Sequence, residues 1–116
     1  KNFVIVDAGM DNLIRPALYD AWHDIRPVIE NKEKEILYDV VGPVCECTDF
    51  LGKDRLLSVK QGDLLIISSC GAYASSMESN YNSRVRPSEI IIRNGKAFEI
   101  RKKEKIDDLF ARERIV

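Results

Sequence analysis

The chain has 116 residues, 45% of them apolar and 32% charged, which is the balance of one soluble globular domain with one hydrophobic core. Lys and Arg total 18 against 19 Asp and Glu, a formal charge of -1, so neither the basic stripe of a nucleic-acid-binding protein nor a polybasic membrane patch is present. No run approaches the roughly 18 consecutive apolar residues of a membrane span, and the N-terminus lacks a signal-peptide layout, so a cytoplasmic protein is expected.

Residues 3–6 (Phe-Val-Ile-Val) form an unbroken apolar run, as expected of a strand buried on both faces. Because Lys1 rather than Met precedes this run, the chain reads as a piece of something longer. Asp7-Ala8-Gly9 is a turn signal, and from Asn12 to Trp22 the sequence predicts a helix with Pro16 in its first turn and Pro27 closing it. Helical spacing would put Arg15 beside Tyr19 and Leu18 beside Trp22. Residues 35–41 predict a strand ending at Gly42-Pro43, and residues 42–55 a long loop. Leu64 to Ile67 predicts a core strand, whereas residues 70–83 show no regular period. Asn94-Gly95 between Glu89–Arg93 and Lys96–Ile100 predicts a hairpin with a type I′ turn. Ile106, Leu109 and Phe110 predict a short amphipathic helix. Strands at hairpin-length spacings imply a mainly β fold, an antiparallel sandwich or barrel with short helices, as one domain over residues 1–116.

Few residues offer chemistry. His23 is the only histidine, and neither a Gly-x-Ser-x-Gly elbow nor a phosphate-binding Gly-rich loop occurs, since Gly52-Lys53 runs into Asp54. Cys45, Cys47 and Cys70 are odd in number, which argues against a disulfide framework. With His23 they would make a Cys3His zinc set, but Cys-x-Cys is tighter than a zinc knuckle, so no metal is expected. Cys45-Glu46 within the loop pairs a thiol able to act as an acid near neutral pH with a cation-binding carboxylate. Arg15 and Tyr19 could hold one anion between a guanidinium fork and a phenol. In Gly71-Ala72-Tyr73, small residues bring backbone close to whatever Tyr73 addresses. Each group also has a bland reading: a chance pair, a surface Arg with a half-buried Tyr, and a sheet-edge turn.

In order, Asp7-Ala-Gly-Met10, Leu13-Ile-Arg-Pro-Ala-Leu-Tyr19, Gly42-Pro-Val-Cys-Glu46 with Asp49-Phe50, Gly62-Asp63, Gly71-Ala-Tyr73 and Ser76-Met with Ser79-Asn-Tyr-Asn82 resemble the C-terminal β domain of the diaminopimelate decarboxylases. These belong to the alanine racemase-like pyridoxal-phosphate decarboxylases. The resemblance implies an N-terminal (β/α)8 barrel, absent from this chain, that holds pyridoxal 5'-phosphate on a Schiff-base lysine. It further implies that Cys45 reprotonates the substrate carbon after CO2 leaves and that Glu46 grips a substrate amino group. Arg15 and Tyr19 would hold the distal carboxylate, and Tyr73 the cofactor phosphate. The implied partners are meso-diaminopimelate, L-lysine and a second copy in a homodimer whose subunits share the active site. The chain alone would be inactive. Three departures are Asp11-Asn12, where the family usually has Asn-Asp, Ser68-Ser69-Cys70 before Gly71, and Cys47 in place of a small residue, a second thiol that oxidation could couple to Cys45. The alternatives are a related decarboxylase acting on ornithine, arginine or carboxynorspermidine, and a non-catalytic β module for dimerisation or binding. Glu46 with Arg15 and Tyr19 favours diaminopimelate.

Overall fold

The computed structural model describes every residue except Asn31 and Glu33. The chain is mainly β with short helices and divides into two compact units, Lys1–Glu78 and Ser79–Val116.

In chain order the first unit contains β1 (Asn2–Ile5), α1 (Arg15–Tyr19), β2 (Ile25–Pro27), β3 (Ile36–Val41), β4 (Phe50–Leu57), β5 (Leu65–Ile67) and α2 (Gly71–Met77). β3 is the centre of a three-stranded sheet, parallel to β1 and antiparallel to β4. β2 and β5 form a separate antiparallel pair, with Ile25 opposite Ile67 and Pro27 opposite Leu65. Side chains from both sheets enter one core of Leu13, Ile25, Val40, Leu51 and Leu57, the layering of a sandwich.

Several sequence expectations change here. β1 is not buried on both faces: Val4 and Val6 are half-buried against the core, while Phe3 and Ile5 face outward, the latter 74% exposed. Its pairing with β3 is parallel because α1 and β2 intervene, supplying the long crossover that a parallel pair requires. The predicted long helix is five residues, Arg15–Tyr19, because Asp20 takes a left-handed conformation (φ 52°) and its N–H turns back to the Arg15 carbonyl. Pro16 is buried in its first turn, and Pro27 lies in β2 instead of closing the helix. Trp22 is therefore not one turn beyond Leu18.

The long loop predicted over 42–55 is cut short, since β4 begins at Phe50 and runs through Gly52-Lys53-Asp54. Tertiary contacts explain Gly52 and Asp54 within the strand. A Cβ at Gly52 would meet Arg55 Nε at 2.6 Å and Ile25 Cδ1 at 2.8 Å. Asp54 has φ 52°, and its N–H donates to Asp39 Oδ1 at 3.0 Å. Asp39 is buried on β3, where Lys1 Nζ pairs with it at 2.6 Å. Burial pushes the Asp39 pKa up, but the Lys1 and Asp54 hydrogen bonds outweigh it and hold the carboxyl below its ordinary value. The irregular stretch expected after residue 70 likewise contains α2, Gly71–Met77.

The second unit contains a one-turn 3-10 segment (Tyr81–Ser83), then β6 (Glu89–Arg93), β7 (Lys96–Arg101) and α3 (Ile106–Leu109). The hairpin forms where Asn94-Gly95 predicts it: both residues have positive φ, 51° and 71°, and Arg93 faces Lys96. α3 begins where Asp108 Oδ2 accepts from Lys105 N–H at 2.7 Å, satisfying a donor that the first turn leaves free.

Candidate functional site

Each of the five residues singled out from sequence stands where a local reason puts it. Arg15 and Tyr19 are the first and last residues of α1, so they sit one turn apart on one side of the helix. Arg15 is half-buried and Tyr19 is exposed. Tyr73 lies in the first turn of α2, is 64% exposed, and has the Arg15 guanidinium 5.3 Å from its ring centroid, within cation–π range. The fold thus joins Tyr73 to Arg15, two groups that sequence reasoning had treated separately.

Beside them is a corner that sequence reasoning did not credit. Cys70 stands at the N-cap position of α2 without a side-chain cap bond; its thiol instead donates to the Ile67 and Ser68 carbonyls at 3.3 and 3.4 Å. Burial raises its pKa, and the nearby Arg15 charge opposes that rise. The buried His23 ring has Nδ1 3.0 Å from the Ser68 carbonyl and 3.9 Å from Cys70 Sγ. A carbonyl only accepts, so the hydrogen of that bond is on Nδ1. Among the described residues no group of three or more His, Cys, Asp and Glu could hold a metal ion.

Cys45 and Glu46 lie on a different segment, the loop between β3 and β4. Val44 is buried at 6% exposure and Asp49 at 5%, while residues 45–48 between them face solvent. The Val44–Glu46 and Glu46–Asp49 main-chain bonds, 2.8 and 3.1 Å, fold the loop back on itself. Glu46 Oε1 accepts from Cys47 N–H at 2.9 Å and from the Cys47 thiol at 3.3 Å, so the second thiol is tied to the carboxylate beside Cys45.

Asp49 is the residue that sequence reasoning passed over, quoting it only as part of a motif. Its carboxylate accepts from Val44 N–H at 2.6 Å and Met10 N–H at 2.7 Å. The second bond links the Cys45 loop to the Gly9–Met10 turn that leads into α1, in which Gly9 O accepts from the N–H groups of Asn12 and Leu13. The available signal was the bracketing of an eventful loop by Gly42 and an acidic residue, with Gly9 in the earlier motif.

Chemically, the α1–α2 corner presents a guanidinium and an exposed phenol, donors suited to carboxylate or phosphate oxygens. The loop presents a thiol proton donor and a carboxylate able to receive an ammonium. An exposed phenol held beside a cation fits the phosphate of pyridoxal phosphate.

The chain matches a family model described as the pyridoxal-dependent decarboxylase, C-terminal sheet domain, over residues 1–71. It is 49% identical to diaminopimelate decarboxylase of Vibrio cholerae across its whole length, which is 28% of that protein. It is similar in structure to diaminopimelate decarboxylase of M. jannaschii in complex with L-lysine, with TM-score 0.93 and 38% identity over 98% of this chain and 26% of that one. The Helicobacter pylori enzyme, also complexed with L-lysine, gives TM-score 0.87 and 45% identity over 94% and 27% of the two chains. The chain therefore spans little more than a quarter of these relatives. With six ordered motifs, a mainly β architecture and a matching family model in agreement, this chain belongs to the pyridoxal-dependent decarboxylases, as their C-terminal sheet domain.

Proposed function

We propose that residues 1–116 are the C-terminal β domain of a cytoplasmic diaminopimelate decarboxylase, which converts meso-2,6-diaminopimelate to L-lysine and CO2, the last step of lysine biosynthesis. The observation that carries this reading is the exposed Cys45–Glu46 pair on an anchored loop, in a chain that also presents Arg15, Tyr19 and Tyr73 as anion donors. The relatives' names and the L-lysine bound to two of them support it.

Pyridoxal phosphate, held on a lysine of the barrel domain, would supply the electron sink that makes loss of CO2 feasible. This chain's residues do the rest. The Cys45 thiol delivers a proton to the substrate carbon, and Glu46 holds a substrate ammonium. Arg15 grips the distal carboxylate with its planar fork, to which Tyr19 adds a hydroxyl one turn away. Tyr73 donates its phenolic hydrogen to a cofactor phosphate oxygen, with the Arg15 charge beside its ring favouring an anion there. Two subunits complete the site between them, the Cys45 loop of one reaching the barrel of the other.

The test is Cys45→Ala in the full-length enzyme, followed by CO2 release from meso-diaminopimelate. Loss of a positioned general acid lowers turnover by about 10²-fold or more, with the cofactor absorbance retained. Turnover at the wild-type rate removes Cys45 from the mechanism. Failure of the unmodified full-length enzyme to release CO2 from this substrate overturns the proposed activity.

A further inference from the structure

We infer that Asp49 is the positioning residue of the Cys45–Glu46 loop: its buried carboxylate sets where the thiol and the substrate-binding carboxylate stand. The inference rests on the roles proposed above for Cys45 and Glu46, and adds a residue that makes no contact with substrate itself.

Four bonds converge on Asp49. Its two carboxylate oxygens accept separately, Oδ2 from Val44 N–H at 2.6 Å and Oδ1 from Met10 N–H at 2.7 Å. Its main-chain carbonyl accepts from Gly42 N–H and its own N–H donates to the Glu46 carbonyl, both at 3.1 Å. The residue before Cys45 and the residue at the start of the loop are therefore both fixed on Asp49. Charge-assisted bonds of this kind are shorter and stronger than neutral ones, and the 5% exposure of Asp49 keeps water from substituting for either donor.

The surroundings leave little spare room around this side chain. A Cβ at Gly42 would lie 2.6 Å from both Asp49 Oδ1 and the Gly9 Cα, and one at Gly9 would lie 2.8 Å from Asp11 Oδ1, 3.0 Å from Val44 Cγ2 and 3.2 Å from Asp49 Oδ1. Two glycines from separate segments thus leave room for the carboxylate. Main-chain donors reach it from two segments, while residues 45–48 are exposed. Neutral Asn fills the same space but turns an NH2 toward one of the two N–H donors, so one anchor is lost and replaced by a donor facing a donor.

The experiment compares Asp49→Asn in the full-length holoenzyme and in a Cys45→Ser background, measuring kcat and KM for meso-diaminopimelate, cofactor absorbance and Tm. Asp49→Asn is expected to lower kcat about tenfold in the wild-type background, since a misplaced group near the reacting atoms costs rate steeply. In the Cys45→Ser background kcat should fall less than about twofold further, because the thiol to be positioned is gone. KM should rise in both backgrounds, through Glu46. A merely structural loss would lower kcat by the same factor in both, and that result overturns the inference, as does wild-type kcat in Asp49→Asn. Wild-type turnover in Cys45→Ser alone overturns both this inference and the role given to Cys45. Asp49→Ser, which keeps one acceptor in less space, is carried alongside and should show the same dependence on Cys45. If neither Asp49 variant folds as holoenzyme, Asp49 acts on folding and the positioning role falls.

Discussion

In the loop between β3 and β4 the thiols of Cys45 and Cys47 face solvent on a segment pinned by buried Val44 and Asp49. At the α1–α2 corner the Cys70 thiol is half-buried, bonded to two carbonyls and set beside His23. Both regions belong to the first unit, and both combine cysteine with polar neighbours. Their construction differs in what is buried: in the loop the anchors are buried and the reactive groups are exposed, whereas in the corner the thiol itself is part of the packing. A group that must reach a substrate needs the first arrangement, and a thiol that serves the packing has the second. Residue type alone separates neither case.

The sharpest break of this comparison sets Cys45→Ala against Cys70→Ala in the full-length enzyme. Turnover should fall by about 10²-fold or more in the first, as for loss of a general acid, and stay within about threefold of wild type in the second. Equal losses would erase the distinction. The next effect is His23→Ala, which removes a buried ring and the donor to the Ser68 carbonyl. It should destabilise the protein by about 2 kcal/mol in denaturant unfolding while leaving kcat nearly unchanged, and a kcat loss without destabilisation would make the corner catalytic.

A smaller effect concerns the thiol of the corner. Arg15 opposes the upward push of burial on the Cys70 pKa, so Arg15→Gln should raise that pKa further. Alkylation of Cys70 at pH 8 should slow with the Cys45 rate unaltered; a faster rate would reverse the assigned sign.

The smallest effect is a control in the second unit. Glu104 also collects donors, accepting from Arg86 N–H at 2.9 Å and Asn80 Nδ2 at 2.7 Å, but holds no reactive loop. The Arg86 N–H first, and then Asn80, lower its pKa. Its contribution is therefore present above the ordinary carboxylate pKa and lost as pH falls through the lowered one. Solvent screening keeps it small. Glu104→Gln should flatten acid unfolding slightly and leave kcat intact, in contrast to Asp49→Asn; a kcat loss would mean that anchoring carboxylates in general, and not Asp49 in particular, govern turnover.

Much of this protein was legible locally. Asn94-Gly95 determined its hairpin because the two positive φ angles of a type I′ turn are a property of those two residues. The runs at residues 3–6, 35–41 and 64–67 marked three strands to within two residues at either end. The motifs carrying Arg15, Tyr19, Cys45, Glu46 and Tyr73 marked the family.

What only the tertiary structure decided is whatever depends on a distant partner. Gly52 to Asp54 fall in the loop expected over 42–55, yet they run as strand because Asp39 supplies an acceptor to Asp54 and Ile25 and Arg55 fill the space at Gly52. β1 lies parallel to β3 for a reason of connection that no strand propensity contains. Asp49 is the clearest instance. In sequence it is one acidic residue among 19, and it becomes an anchor only where the fold brings Met10, from 39 positions earlier, within 2.7 Å of its carboxylate. Propensity acts between neighbours in the chain, whereas a buried charge is defined by the donors that surround it in space.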